Sequence, residues 1–374
     1  MTDSLSPLHR QKLIALAEAL VDQRAARVLV EPYGQAQGFW FGGGNVIRDR
    51  DGSFLICGRH RVSGDSRLGT GAGERGLELA IYRAASALGP YEKVKSFSKA
   101  DLTCAGRAVV SIEGVALHAL PDGGGVELFI STEKDAAYPE RLAAYQKPGT
   151  GVWSIDRIQA ADIDSLNPAG IEEIVPSGWD QPEHLHCKDP VVSDLPGGDL
   201  LLIYCVHPFT WSSSGTAALI RRSGTGIYEK VGDDLLRRGP VWDIAAARVT
   251  ERLPVPAVGA FADLPPLSIY FYDSCESLRQ LDENPAAVSR PRGWSCEEIG
   301  GIAAGFDAAF PEMQSVTVES PIFVSPHGTG CSRYVATLVT EDGILATWQQ
   351  SQTDLRQPLV GHFLPMDRVR EILS

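Results

Sequence analysis

The spacing of apolar and polar positions changes character once along this chain. From Pro7 to Arg27, Leu8, Leu13, Ile14, Leu16, Ala17 and Leu20 recur at three- and four-residue steps, which predicts one long helix. Ser6 before Pro7 offers a side-chain N-cap followed by proline at the first helical position. Beyond that helix the period falls to two. Ser53–Val62, Leu77–Tyr82, Val126–Ser131, Leu200–Val206, Leu267–Tyr272 and Tyr334–Val339 read as strands rich in β-branched and aromatic residues. Turns such as Asp49–Gly52, Pro121–Gly125 and Pro196–Asp199 precede three of them. The chain is expected to be all-β with an N-terminal helix.

A unit then recurs five times: a short apolar strand with one polar residue near its start, a turn, and a richer second strand. The short strands are 44–47, 112–117, 189–192, 242–245 and 319–324, and the marked residues are Asn45, Glu113, Asp189, Asp243 and Glu319. They are separated by 68, 76, 54 and 76 residues. A propeller blade with its loops takes ~40–50 residues in compact families, so these spacings fit five blades with long loops. The predicted organisation is an N-terminal helical extension, 1–34, and a five-bladed β-propeller catalytic domain, 35–374. The stretch 282–305 is expected to be a loop insertion.

The innermost strand of every blade borders the axial channel, so one polar residue per inner strand converges on one pocket. Glycoside cleavage needs two carboxyl groups flanking one bond, one of them protonated. An acid beside an apolar strand is most often a solvated turn residue. Recurrence on four blades makes Asp189 and Glu319 the expected principal carboxyls, with Glu113 and Asp243 tuning them or gripping hydroxyls.

Lys188-Asp189-Pro190, the inner-strand acids and the five-fold pattern resemble the five-bladed β-propeller glycosidases of glycoside hydrolase families 43, 32, 62, 117 and 130 over about residues 35–365. Families 43 and 32 place Asp, Asp and Glu on successive blades. This chain departs from them, with Asn45 on the first blade, Glu113 on the second and Asp189 on the third. Its Gly42-Gly43-Gly44-Asn45 entry is more similar to family 130. The resemblance implies a hydrolase releasing sugars from glycosides or short oligosaccharides, for which inversion is expected. A phosphorylase using inorganic phosphate is the alternative within this class. A non-catalytic sugar-binding propeller is the rival outside it.

Further residues are expected around the substrate. Arg59 and Arg61 share a strand face and suit a bidentate grip on carboxylate or phosphate, although an exposed blade edge would explain them equally well. His184 and His186 fall on one side of an extended segment before Asp189, and His207 follows the next strand. Imidazoles with a carboxylate can bind zinc, but hydrogen bonding to hydroxyls is the expected role, as is the acid role a histidine takes in family 117. Of the aromatic residues Phe39, Trp40, Phe41, Trp179, Phe209, Trp211 and Trp242, most belong to a core, and Trp242 beside Asp243 is expected to line the pocket. No cofactor is expected, and the sequence leaves a structural or axial divalent ion open.

Other signals narrow the field. Gly71-Ala72-Gly73-Glu74-Arg75-Gly76 matches a dinucleotide fingerprint, but the period-two pattern after it denies the helix that motif requires, so it reads as a loop over the pocket mouth. Ser212–Gly215 lacks nucleophile-elbow spacing. The 374 residues carry 34 basic and 47 acidic side chains, a net charge of −13, which argues against nucleic acid or an anionic membrane as partner. Seven scattered cysteines, no CxxC pair, no signal-peptide pattern and no long apolar run fit reduced thiols in a cytoplasm. The helical stripe must be covered by the propeller flank or a second subunit, and a homodimer through the N-terminal helix is expected.

Overall fold

The computed structural model describes residues 5–62, 74–146, 149–178, 184–208, 214–275 and 298–374. Its strands form five blades around one axis, a five-bladed β-propeller with an N-terminal helix. The sequence expectation of an all-β architecture holds, and each strand expected from period two is present.

The chain starts with α1 (Pro7–Leu20) and β1 (Arg27–Val30). Blade one contains β2 (Trp40–Gly42), β3 (Val46–Arg48), β4 (Phe54–Val62), β5 (Glu74–Ala84) and β6 (Glu92–Ser98). Blade two contains β7 (Val109–Ala119), β8 (Val126–Lys134), β9 (Val152–Ala160) and β10 (Glu172–Val175). Blade three runs through β11 (His184–Asp194), β12 (Leu200–Pro208), β13 (Gly215–Arg221) and β14 (Tyr228–Gly232). Blade four is β15 (Arg248–Pro254), β16 (Leu267–Ser274), β17 (Ile299–Phe306) and β18 (Gln314–Ser315). Blade five is β19 (Ser332–Val339), β20 (Gly343–Gln350) and β21 (Leu359–Pro365), and β1 completes it by pairing antiparallel with β21. Helix α2 (Met366–Leu373) follows.

Two inner strands lie elsewhere than the sequence pattern placed them. The apolar runs 242–245 and 319–324 are turns and isolated bridges; the inner strands of blades four and five are β15 and β19. Trp242 and Ile322 are apolar because they pack between neighbouring strands, which imitates a strand signal. The expected 282–305 insertion lies largely outside the described residues and ends in β17.

Helix α1 is capped as expected: the Ser6 side chain accepts a hydrogen bond from the His9 N–H. It stops at Leu20 instead of running to Arg27, because the Asp22 carboxylate accepts from the N–H groups of Arg24 and Ala25 and folds the chain into a turn. Leu13, Leu16, Ala17 and Leu20 are fully buried in a cluster with Leu253, Phe271 and Ile302 of blade four, Val335 and Trp348 of blade five, and Val369 and Leu373 of α2. The stripe that motivated a homodimer is therefore covered within the chain from Leu13 to Leu20, while Leu8 at its start is exposed. With β1 inside blade five, residues 1–34 supply part of the propeller itself.

Candidate active site at the propeller axis

The inner strands share one irregularity. Register shifts at a bulge between Ile112 and Val115 in β7, between Lys188 and Val191 in β11, between Val249 and Glu251 in β15 and between Arg333 and Ala336 in β19. In blade one the gap between β2 and β3 occupies the corresponding place, with Gly43 at φ +70°. A bulge bends its strand and re-aims a side chain. Asp189 and Tyr334, at two of these bulges, hold φ values of 56° and 55°, a left-handed conformation costly for residues with a side chain.

The re-aimed residues enclose an axial cavity of about 130 Å³ to which all five blades contribute. Blade one supplies Trp40, Arg59, Arg61 and Gly76, and blade two supplies Glu113, Thr150 and Trp153. Lys188 and His207 come from blade three, Arg248 and Glu298 from blade four, and Arg333 and Tyr334 from blade five. A second, smaller space of about 30 Å³ continues along the axis and shares Arg248 and Tyr334 with the first. Asn45, Gly114, Asp189, Glu251 and Asp273 line it.

The electrostatics divide into tied and open groups. Glu298 accepts from Arg248 Nη2 at 2.9 Å and Arg333 Nη1 at 2.7 Å. Burial opposes its charge, but these two guanidiniums hold its carboxyl at about 2. Glu113 accepts from the Ser111 hydroxyl at 2.8 Å and lies 3.8 Å from Arg59 Nη2. Asp189 Oδ1 accepts from the Gly114 N–H at 3.0 Å, while buried Oδ2 has no hydrogen-bond partner and lies 3.8 Å from Lys188 Nζ. Burial would lower the Lys188 ammonium, yet the neighbouring Asp189 and Glu113 carboxylates raise it. Burial pushes Asp273 up to about 7 against the pull of Arg248 and the Tyr334 N–H it accepts.

No family sequence model matches this chain, and no curated protein matches it in sequence. Solved structures match in fold. The α-L-arabinofuranosidase from Lactobacillus brevis is 11% identical with a TM-score of 0.56, over 91% of this chain and 93% of that one. RS223 β-xylosidase is 10% identical with a TM-score of 0.54, over 91% and 95%. The GH43_1 enzyme from Xanthomonas citri complexed with xylose is 11% identical with a TM-score of 0.53, over 94% and 93%. The fold is that of the propeller glycoside hydrolases.

Within this propeller the sequence-derived candidates separate. Arg59, Glu113 and His207 line the axial cavity, and Asp189 lines its continuation. Glu319 does not reach either space: it is exposed on the loop before β19. Asp243 also stands off the axis, buried between blades with Oδ2 accepting from the Tyr272 hydroxyl at 3.0 Å. Both acids were expected on inner strands that prove to be β15 and β19, which is why neither arrives at the axis. Trp242 stacks on Tyr272 at 5.3 Å and donates its indole N–H to the Thr317 carbonyl, a core role instead of a pocket wall.

Asn45 has spent its amide on structure. Its side chain donates to the Leu117 carbonyl and accepts from the Leu117 N–H, both at 2.8 Å, clamping blade one to blade two. His186 is fully buried behind Trp153 and bonded to the Tyr138 hydroxyl at 3.0 Å; burial, with Lys188 nearby, lowers it to about 3 and keeps it neutral. Among the described residues no group of three or more His, Cys, Asp and Glu side chains is arranged to hold a metal ion. Where the dinucleotide motif would need a helix, β5 starts at Glu74, and residues 71–73 lie outside the described residues, as do Trp179, Phe209 and Trp211.

Arg248, Glu298, Arg333, Tyr334, Trp153 and Asp273 were missed. Arg248 opens β15 and Arg333 is the second residue of β19, and an arginine near the start of a strand resembles a solvated edge until the blades are assembled. Tyr334 and Asp273 sit inside strand patterns that account for them without any site.

Proposed function

We propose that this protein is a glycoside hydrolase that cleaves glycosides or short oligosaccharides at the propeller axis, with inversion. The observation that carries this reading is that two carboxylates from adjacent blades, Asp189 and Glu113, both act on the buried Lys188 ammonium at the axis, with Asp189 Oδ2 3.8 Å from its Nζ. These two carboxyls divide the work of inversion, one protonating the departing oxygen and the other activating water. Arg59 and His207 hold the substrate, and Trp153 offers it an apolar ring surface. The arabinofuranosidase and xylosidase activities in the names of the structural neighbours support this reading at the level of reaction class. No cofactor takes part. The six cysteines among the described residues are all buried, which fits a cytoplasmic setting, and no helix among the described residues is long and apolar enough to cross a membrane.

The test is sugar release from a panel of aryl furanosides, aryl pyranosides and short oligosaccharides, with and without inorganic phosphate. Phosphate-independent release that Glu113→Gln and Asp189→Asn each lower by about 10²-fold or more supports hydrolysis. Release that requires phosphate and yields a sugar 1-phosphate establishes a phosphorylase instead. Sugar binding without any turnover establishes a binding propeller.

A further inference from the structure

Successive residues of a regular strand point to opposite faces, yet Lys188 lines the axial cavity and Asp189 its continuation. The bulge between Lys188 and Val191, with Asp189 left-handed at φ 56°, brings the two side chains together, Nζ 3.8 Å from Oδ2. The rest of Asp189 is tied down. Its N–H donates to the Ser131 hydroxyl at 3.1 Å, and its Oδ1 accepts from the Gly114 N–H at 3.0 Å. Oδ2 is buried and has no hydrogen-bond partner. Among the described residues no hydrogen bond takes up the Lys188 ammonium either, which lies 5.8 Å from the centre of the Trp153 ring. Burial opposes its charge, but the Asp189 and Glu113 carboxylates raise it, so at neutral pH Lys188 donates and cannot accept.

These two groups are a donor and an acceptor, too far apart to bond each other and close enough to share one oxygen. Such contacts span about 2.8–3.0 Å, so a single oxygen can accept from Lys188 Nζ and donate to Asp189 Oδ2. The volumes say whose oxygen it is. The axial cavity measures about 130 Å³ and its continuation about 30 Å³, room for a water but not for a sugar ring. A confined water needs polar partners, and Thr250 Oγ1 and Asp273 Oδ1, from residues lining the continuation, are also buried without a hydrogen-bond partner.

We infer that Lys188 is a catalytic residue that, with Asp189, seats the attacking water where the two spaces meet, so that Asp189 is the base and Glu113 the acid. The inference rests on the glycoside-hydrolase reading and deepens it by assigning the two roles and adding a third group. The water oxygen bonds to the anomeric carbon while its proton passes to Asp189 Oδ2. The electron pair of the breaking glycosidic bond stays on the departing oxygen, which takes the proton that Glu113 carries in the substrate complex. Lys188 keeps its protons throughout. Its N–H occupies one lone pair of the water and leaves the other for attack.

The experiment measures kcat and KM of the full chain on phenyl and dinitrophenyl glycosides, the poor and the good leaving group, of the sugars the parent turns over. Lys188→Met keeps the length of the side chain and removes its donors. It should lower kcat at least about tenfold with KM within a factor of about two. Lys188→Gln, which keeps an N–H donor, should fall between it and the parent. Asp189→Asn should stay slow with both leaving groups, and sodium azide, a nucleophile that needs no base, should restore release as the glycosyl azide. Glu113→Gln should recover with the good leaving group and ignore azide. A thermal melt verifies folding of each variant, and the comparison of Asp189 with Glu113 stands without either Lys188 variant. An unchanged kcat in folded Lys188→Met overturns the inference, whatever KM does. So does recovery of Asp189→Asn, instead of Glu113→Gln, with the good leaving group. Both results leave the hydrolase reading standing. Release that needs phosphate, or no release from any glycoside by the parent, removes the hydrolase reading itself and this assignment with it.

Discussion

The Gly114 N–H donates to Asp189 Oδ1 at 3.0 Å, and a Cβ on Gly114 would come within 2.6 Å of Asp189 Cα and closer still to that oxygen. Two bulges on neighbouring inner strands therefore interlock, and the interlock sets how close the second blade's Glu113 lies to the third blade's Asp189. Gly114→Ala should cost about 1–3 kcal/mol of stability, since neither strand has room to retreat. Gly170→Ala, where nothing lies within 4 Å, is the matched control and should leave stability unchanged. Urea unfolding of both variants checks this.

Asp189 combines a left-handed backbone with a carboxylate, and the two roles separate by substitution. Asn tolerates φ of 56° nearly as well as Asp and keeps an oxygen for the Gly114 N–H. Asp189→Asn should melt close to the parent yet lose about 10²-fold or more in sugar release. Asp189→Val, β-branched and without an acceptor, should lose stability as well. Calorimetric melts beside release assays distinguish the two effects.

His118 reports on the charge network between blades two and three. Its ring nitrogens contact Glu127 at 3.0 Å and Asp194 at 2.9 Å. Burial opposes protonation, but Asp194 and Glu127 outweigh it and raise the imidazole from 6.5 to about 8. A raised histidine contributes stability that is complete below its unfolded value and lost as pH climbs through the folded one. His118→Gln should therefore be less stable than the parent by about 2 kcal/mol near pH 6, with the difference closing above pH 8. Urea midpoints of both proteins between those limits test this; a gap independent of pH would reject the charged pairing.

Leu16 on α1 is fully buried against blades four and five and α2. Leu16→Ala should cost about 2–5 kcal/mol. The loss should not depend on protein concentration, because the stripe is covered within the chain; light scattering with urea unfolding at two concentrations verifies it.

The second and third strands of the blades were legible in the sequence, because half-buried sheets impose period two, as in Leu77–Tyr82 within β5 and Leu267–Tyr272 within β16. The axis was legible only in blades one to three. Asn45, Glu113 and Asp189 border the inner strands because each sits beside an apolar run that really is a strand or its entry. In blades four and five the runs around Trp242 and Ile322 are apolar for packing between blades, and the acids beside them, Asp243 and Glu319, inherited the error. The arginine wall was hidden for another reason. Arg59 and Arg333 lie far apart in sequence, and only ring closure gives them the shared ring of Tyr334, as it gives Arg248 and Arg333 the shared carboxylate of Glu298.

The pairing of β1 with β21 places Arg27 opposite Gly361. During synthesis β1 emerges long before its partner strand, so blade five stays an unlatched sheet until almost the whole chain has left the ribosome. The four earlier blades form from neighbouring segments, whereas the final clasp is a contact of nearly maximal sequence separation and so the slow one. Because the cavity draws residues from the first blade and the last, the charged pocket comes into being only when the latch closes, and a chain that stalls before closure has no pocket to misuse.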